Sequence, residues 1–252
     1  MPVARRFEVL PNGDAAFDIR FSAEPSEQLS ETIIALAEAI EKAPLDAVTE
    51  LVPAYQCLTV CFDPLHLTET TGLLDALVSL TQTALIHPRS IAGTRNLIRI
   101  PVCYDEKFAP DLPALCAQSR LTASEVVALH TAPQYLVHML GFTPGFLYLG
   151  GLDTALHCPR KARPALSVPP GSVGIGGQQT GIYPQATPGG WQIIGRTPMA
   201  LFRPDQAQPF IARPLDRVKF VQISTQEFAQ FDPHSEPEKM PLSALSTRGV
   251  QQ

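Results

Sequence analysis

The sequence has few charged residues, few cysteines and no long apolar run. Only 17% of its 252 residues are charged, against roughly 25% in an average soluble chain, and no block of five or six like charges occurs. A net charge of −5 without a basic stripe is not typical of nucleic-acid-binding proteins. No apolar stretch reaches the ~18 residues that a membrane span needs. We therefore predict neither a nucleic-acid partner nor a membrane partner.

The sequence also lacks the usual marks of secretion and of metal binding. The first residues, MPVARRFEVLPNGD, contain two arginines but no apolar segment or small-residue cleavage site behind them. The five cysteines are an odd number without a CxxC pair, and the six histidines show no short ligand spacing. We expect a cytoplasmic protein with reduced thiols and no bound metal.

Proline and apolar residues, in contrast, are plentiful. The chain has 25 prolines, about twice the usual share of ~5%, and 45% of its residues are hydrophobic. This composition excludes collagen, a coiled coil and wholesale disorder. At ~100–200 residues per domain, the length predicts two domains.

The first part of the chain predicts a small α+β sandwich over residues 1–92. Asn12-Gly13 is a strong hairpin signal inside 5–21, and Pro53 separates two strands within 48–62. Apolar residues at helical spacing predict helices over 25–42 and 69–86. The order ββαββα packs helices against one face of an antiparallel sheet, and residues 88–96 are interpreted as a linker.

The second part predicts a β-rich domain over residues 93–231. A strand is expected at 97–104, and Thr122 with Glu125 forms a capping box that opens a short helix. From residue 134 onward, short strands alternate with Gly/Pro turns, which favours a closed or nearly closed barrel. Residues 232–252 are polar, and we expect a flexible tail.

Residues 141–198 differ in composition from the rest of the chain. They hold 12 of the 16 glycines, and their charged residues are one acid and four cations: Asp153, Arg160, Lys161, Arg163 and Arg196. Glycine lets a ligand approach bare main-chain amides, and such amides hold phosphate or carboxylate groups. The segment is therefore a candidate anion site.

The run from Gly174 to Gly181 concentrates these donors. Its candidate residues are the amides of Gly176 and Gly177 and the side chains of Gln178, Gln179 and Thr180. The run matches no known nucleotide-binding loop. Two interpretations stay open, an anion receptacle and a tight barrel corner with glycines at bulges.

Other candidates in or near the segment also allow two interpretations. Tyr148, Tyr183 and Trp191 are able to stack on a planar substrate or to fill a core. Arg160 and Arg196 lie beside proline-bearing turns, where an arginine clamps a carboxylate or phosphate or simply meets solvent. His130, at the end of the capped helix, is either a general acid/base or a residue that suits the helix dipole.

Several motifs resemble one family. They are GFTPGFLYLGGL (141–152), CPRKARP (158–164), VPPGSVGIGGQQTGIYP (168–184) and ATPGGWQIIGRTP (186–198). Together they resemble the B subunit of 5-oxoprolinase, whose relatives are the histidine-kinase autophosphorylation inhibitor KipI and allophanate hydrolase subunit 1. The likeness covers about residues 5–222.

The resemblance implies a fold, a reaction and partners. The implied fold is a ferredoxin-like amino-terminal domain and a cyclophilin-like β-barrel domain. The implied reaction opens 5-oxo-L-proline to L-glutamate with ATP hydrolysis, in a complex with a subunit-C-like partner and a third oxoprolinase subunit. ATP is expected to be bound by a partner or jointly, and the chain alone to be inactive. The alternatives are an inhibitor that binds a sensor histidine kinase and a subunit of allophanate or urea metabolism.

On this basis we predict two sets of site residues. The catalytic set is His130, Gln178, Thr180 and Arg196. The set that binds the substrate or an anion is Arg160, Gly176, Gly177, Gln179, Tyr183, Trp191, Phe142, Pro144 and Tyr148.

Overall fold

The computed structural model describes residues 6–67, 69–86 and 93–246. It divides the chain into two compact units, Met1–Gly93 and Thr94–Gln252. Most of the predicted linker, residues 88–96, lies outside the described residues.

The first unit consists of four strands and two helices. They are β1 (Phe7–Pro11), β2 (Ala16–Phe21), α1 (Glu27–Glu41), β3 (Val48–Pro53), β4 (Cys57–Phe62) and α2 (Thr71–Ile86). Gly13 adopts a φ of +66° in the turn between β1 and β2, a conformation that few other residues accept. The antiparallel sheet has the order β1-β2-β4-β3. The predicted sequence of elements ββαββα is thus confirmed.

The core of this unit follows the periodicity of the sequence. Ser26 caps α1 by accepting a hydrogen bond from the Leu29 amide (3.2 Å), and a stripe of α1 is buried. The stripe packs in one apolar cluster with alternate residues of β2 and β4: Leu29, Ile33, Leu36, Ile40, Ile19, Leu58 and Val60. This burial holds the helices on one side of the sheet.

The second unit is built around an eight-stranded sheet. Its strands are β5 (Asn96–Val102), β6 (Tyr135–Leu140), β7 (Leu147–Gly150), β9 (Ser172–Gly176), β10 (Gln179–Ile182), β12 (Gln192–Arg196), β13 (Arg217–Gln222) and β14 (Glu238–Pro241). Their order is β12-β9-β10-β7-β6-β13-β5-β14. A separate two-stranded sheet pairs β8 (Ala165–Val168) with β11 (Thr187–Gly189), and the helices are α3 (Leu112–Ser119), α4 (Ala123–Thr131), α5 (Thr225–Gln230) and α6 (Leu242–Ser246).

The large sheet curves back on itself at one point. Cys103, the residue after β5, exchanges main-chain hydrogen bonds of 2.8 and 2.9 Å with Arg196 at the end of β12. A single bridge is not a full ladder, and the named strands of the described residues form no continuous closed barrel. The architecture is therefore a mixed α and β fold with a strongly curved sheet.

Two local features of this unit bear on the sequence predictions. Thr122 and Glu125 form the predicted capping box, with Thr122 N–H donating to Glu125 Oε2 (2.7 Å) and Glu125 N–H to Thr122 Oγ1 (3.3 Å). In the segment predicted as a flexible tail, β14 pairs antiparallel with β5, while residues 247–252 lie outside the described residues. No helix in the described ranges is long and apolar enough to cross a membrane.

Candidate functional site

An aromatic cavity opens on the second unit beside β10 and β12. Its volume is about 240 Å³, and its walls are formed by Phe142, Phe146, Tyr148, Arg160, Pro164, Tyr183, Pro188, Gly189, Gly190 and Trp191. Phe146, Tyr183 and Trp191 are buried and meet edge to face, at centroid distances of 5.1–6.4 Å. We call this space the aromatic cavity.

Glycines of β9 and β10 form the floor on which the Trp191 indole lies. A Cβ at Gly176 would lie 2.6 Å from indole Nε1, and one at Gly181 would lie 2.9 Å from Cζ3 of the same ring. Gly174 pairs with Gly181 across the ladder, and its Cβ would approach the Trp191 Cβ at 3.1 Å. A side chain at Gly176 would collide with the indole, and one at Gly181 would collide with both the indole and the Leu147 carbonyl.

The two tyrosines give the cavity neutral hydroxyl groups. Burial raises the pKa of Tyr148 and of Tyr183, so both phenols stay protonated and able to donate. The Trp191 main chain hydrogen-bonds the Tyr183 hydroxyl, and a Cβ at Gly189 would lie only 2.6 Å from that oxygen. Gly189 therefore makes room for the Tyr183 side chain.

Arg160 supplies the positive charge of the aromatic cavity. Its guanidinium carbon lies 5.8 Å from the centroid of the Trp191 ring, a cation–π geometry that orients an otherwise exposed side chain. Phe142, with a φ of +67° and 63% of its surface exposed, forms part of the rim. Pro144 lies exposed in the same loop, outside the cavity lining.

The run from Gly174 to Gly181 is a tight β-hairpin, the second of the two interpretations. β9 lies between β12 and β10, and β10 lies between β9 and β7, so main-chain groups of both strands are engaged in ladders. At the turn, Gly177 has a φ of +66° and exchanges hydrogen bonds of 2.7 and 3.1 Å with Cys158. The expectation that the main-chain amides of Gly176 and Gly177 are available to bind an anion is thus corrected. Gln178 is exposed at the turn and Gln179 half-buried beside it, both outside the cavity lining.

His130 and Thr180 form a buried polar cluster with Tyr104. The histidine and threonine have no exposed surface, and burial lowers the pKa of His130 to about 3. Thr180 donates to the Gly174 carbonyl (3.1 Å), so it accepts from His130 Nε2 (2.9 Å), and His130 Nδ1 accepts from the Tyr104 hydroxyl (2.8 Å). Every polar atom of the neutral imidazole is satisfied inside the fold. Both side chains lie outside the aromatic cavity, and their hydrogen bonds tie α4 to β10.

Arg196 lies apart from the aromatic cavity as well. Its main chain forms the bridge to Cys103, and its side-chain Nε donates to the Pro170 carbonyl (2.7 Å). Of the predicted residues, the structure therefore brings five together around one cavity: Phe142, Tyr148, Arg160, Tyr183 and Trp191. It does not bring His130, Gln178, Thr180 or Arg196 to that cavity.

Sequence reasoning missed several residues of the cavity. Phe146 contacts Tyr148, Tyr183 and Trp191, yet nothing in its own motif distinguishes it from the neighbouring aromatic residues. Gly189 and Gly190 line the cavity directly before Trp191, and a glycine pair beside the only tryptophan is the signal that points to them. Among the described residues, no group of three or more potential metal ligands occurs.

Comparison with known proteins places the chain in a family. The family described as "Carboxyltransferase domain, subdomain C and D" matches residues 7–212. The B subunit of 5-oxoprolinase from Bacillus subtilis (strain 168) is 41% identical over 238 residues, which span 91% of this chain and 98% of that protein. The resemblance inferred from the motifs is confirmed.

Solved structures agree with this fold. The crystal structure of TTHA0988 is 37% identical, with a TM-score of 0.72, over 88% of this chain and 41% of that chain, so this chain spans less than half of that protein. The Kluyveromyces lactis urea carboxylase shares the fold alone, at 15% identity and a TM-score of 0.76, over 99% of this chain and 26% of its own. The chain therefore belongs to the carboxyltransferase subdomain C and D family, and within it to the B subunits of 5-oxoprolinase.

Proposed function

We propose that this chain is a subunit of an ATP-dependent 5-oxoprolinase complex that opens 5-oxo-L-proline to L-glutamate. The proposal is supported by the relatives named as B subunits of 5-oxoprolinase and, in the structure, by the aromatic cavity with Arg160 at its mouth. A small apolar cavity with a few convergent polar groups is the usual form of a small-molecule site.

The cavity matches the chemistry of 5-oxoproline in three respects. The substrate is a flat lactam ring with one carboxylate, and a volume of about 240 Å³ suits a molecule of that size. Trp191 and Phe146 contribute apolar wall to the cavity, against which the ring would pack. The Arg160 guanidinium is placed to pair with the carboxylate, and an arginine–carboxylate pair is among the strongest polar contacts.

The tyrosine hydroxyls are suited to the reacting end of the ring. Ring opening requires a more electrophilic lactam carbon, because nitrogen donates electron density to the carbonyl. A neutral phenol that donates a hydrogen bond to the carbonyl oxygen stabilises the negative charge that grows there when a nucleophile attacks. Tyr148 and Tyr183, held protonated by their raised pKa values, are our candidates for this role.

ATP does not fit the aromatic cavity. A triphosphate needs several cations, and only Arg160 is positively charged among the residues that line this cavity. We propose that ATP is bound by a partner or jointly with one, and that the chain is inactive alone. A subunit-C-like protein and a third oxoprolinase subunit are the proposed partners; support comes from TTHA0988, whose matched chain is more than twice as long as this one.

Two finer points complete the proposal. We infer a ferredoxin-like first unit and a cyclophilin-like barrel in the second, supported by the antiparallel sheet with its two helices and by the bridge between Cys103 and Arg196. We also propose a cytoplasmic location, supported by five cysteines that are all free thiols, the usual state in a reducing compartment.

The test is an assay of phosphate release that depends on 5-oxoproline, with and without co-purified partners. We expect turnover only when the partners are present. With Arg160→Gln, KM for 5-oxoproline should rise about tenfold or more, because one charged hydrogen-bonding partner of the carboxylate is lost. The matched control is Arg163→Gln, at an exposed residue outside the cavity lining.

Two outcomes would contradict the proposal. Phosphate release in no combination of subunits, together with inhibition of a sensor kinase, would assign the chain to the kinase-binding class. An equal KM for 5-oxoproline in Arg160→Gln and Arg163→Gln would show that the substrate does not bind in the aromatic cavity.

A further inference from the structure

A second cavity of the same unit carries a concentration of positive charge. It has a volume of about 150 Å³, lies beside β8 and β12, and is reached by Lys107, Lys161 and Arg196. Its apolar wall includes Val168 and Ile193, both buried. We call it the cationic cavity. In a chain whose net charge is −5, three cations on one small cavity need an explanation.

The charges of the cationic cavity are only partly compensated. Lys161 Nζ pairs with Asp111 Oδ2 (2.5 Å), and the same carboxylate oxygen accepts from the Ile193 amide (2.7 Å). Among the described residues, Asp111 is the only acid in an ion pair with these three cations. Two positive charges are therefore left without a carboxylate partner.

Arg196 is held so that part of its guanidinium stays available. Its Nε donates to the Pro170 carbonyl (2.7 Å), which fixes the direction of the side chain. No residue within the described ranges accepts a hydrogen bond from its two terminal nitrogens. An arginine whose direction is fixed and whose terminal N–H groups are available is able to bind a phosphate or carboxylate group through two hydrogen bonds.

Neutral donors complete the lining. Two serines line the cavity: Ser172, which is 2% exposed, and Ser167, which is exposed. A phosphate group carries close to two negative charges at neutral pH and has oxygens that accept from several directions. Two uncompensated cations with flanking hydroxyls match that group better than they match a single carboxylate.

We propose that the cationic cavity binds a phosphate group, either free inorganic phosphate or the phosphate of a nucleotide. This site is separate from the aromatic cavity. Binding of free phosphate goes beyond the proposed function, whereas binding of a nucleotide rests on it and places part of the ATP site on this chain. The segment 160–168 contributes to the walls of both cavities, with Arg160 and Pro164 on one and Lys161 and Ala165 on the other.

The test measures binding to the full chain, without partners or 5-oxoproline. Isothermal titration calorimetry with inorganic phosphate and, separately, with ATP should detect one site whose affinity falls as salt concentration rises. Lys107→Gln and Arg196→Gln should each weaken binding about tenfold or more. Lys239→Gln, at an exposed lysine of β14, is the matched control and should leave the affinity unchanged.

The two arms distinguish the source of the phosphate. ATP bound at least tenfold more tightly than inorganic phosphate identifies a nucleotide site, and equal or weaker binding of ATP identifies a site for free phosphate. The proposal is overturned if neither ligand binds at millimolar concentration, or if Lys107→Gln binds as the unaltered chain does. Lys107 is exposed, so this variant decides the question even if Arg196→Gln fails to fold. The absence of phosphate binding would not contradict the proposed function, because the oxoproline assay tests Arg160 and the aromatic cavity.

Discussion

The aromatic cavity and the buried cluster of His130 and Thr180 contain residue types that are often catalytic, but the fold uses them differently. His130 has no exposed surface, stacks on Phe220 at 4.6 Å and has both ring nitrogens hydrogen-bonded. The Arg160 side chain, in contrast, is exposed beside the aromatic cavity, and its guanidinium lies over the Trp191 ring. A polar group that is fully satisfied inside the fold stabilises the protein, whereas a group that is oriented but open is available to a ligand.

The largest expected effect of this difference is on stability. His130→Ala removes a buried ring and leaves the Tyr104 and Thr180 hydroxyls without their partner, so the free energy of unfolding should fall by about 3–5 kcal/mol. His234→Ala, at an exposed histidine, should change it by less than about 0.5 kcal/mol. Urea unfolding of the full chain measures both. A loss below about 1 kcal/mol in His130→Ala would show that the cluster is not a structural support.

The glycine floor should give the next largest effect. Gly176→Ala places a methyl group 2.6 Å from the Trp191 ring, so the ring must move, at a cost of about 1–3 kcal/mol in the free energy of unfolding. Because Trp191 is the only tryptophan, its emission spectrum should also shift. The control is Gly72→Ala, where nothing lies within 4 Å. An unchanged spectrum in Gly176→Ala would contradict the close contact.

The pH dependence of stability should be the smallest of these effects. Burial holds the pKa of His130 at about 3, well below 6.5 for a solvated histidine. Between these values the unfolded chain binds a proton that the folded chain does not, so this group lowers stability as pH falls below 6.5. The contribution is about 1.4 kcal/mol per pH unit below pH 6.5, so the free energy of unfolding should fall by about 1 kcal/mol between pH 7.0 and pH 5.5.

The measurement is urea unfolding at pH 7.0 and pH 5.5 with His130→Gln and His234→Ala. The change in the free energy of unfolding between the two pH values should be smaller in His130→Gln than in the unaltered chain. In His234→Ala it should equal that of the unaltered chain. Equal changes in all three proteins would show that His130 titrates normally in the folded state, against the buried and neutral assignment.

The parts of the fold that depend on local sequence could be predicted. The hairpin at Gly13, the helices of the first unit and the capping box at Thr122 are each specified by neighbouring residues, and each forms as expected. The family could be identified as well, because its motifs are long and occur in order.

The division of roles within the site could not be predicted, because it depends on distant contacts. Thr180 meets His130 across 50 positions of sequence, and only that contact makes the pair structural. Gly176 is bare because Trp191 lies over it, and nothing in the run GIGGQQTG distinguishes a glycine that makes room for a ring from one that exposes amides to an anion. The cationic character of the segment is evident from composition, but its charges divide between two cavities, with Arg160 on one and Lys161 and Arg196 on the other.

Fluorescence of Trp191 tests the substrate cavity most directly, since the only tryptophan forms its wall. Titration of the full chain with 5-oxo-L-proline should change the emission in a saturable way. 2-Pyrrolidinone, which lacks the carboxylate, should bind about tenfold more weakly, and Arg160→Gln should abolish that preference. A spectrum that does not respond to 5-oxoproline, or a preference that survives in Arg160→Gln, would contradict the account.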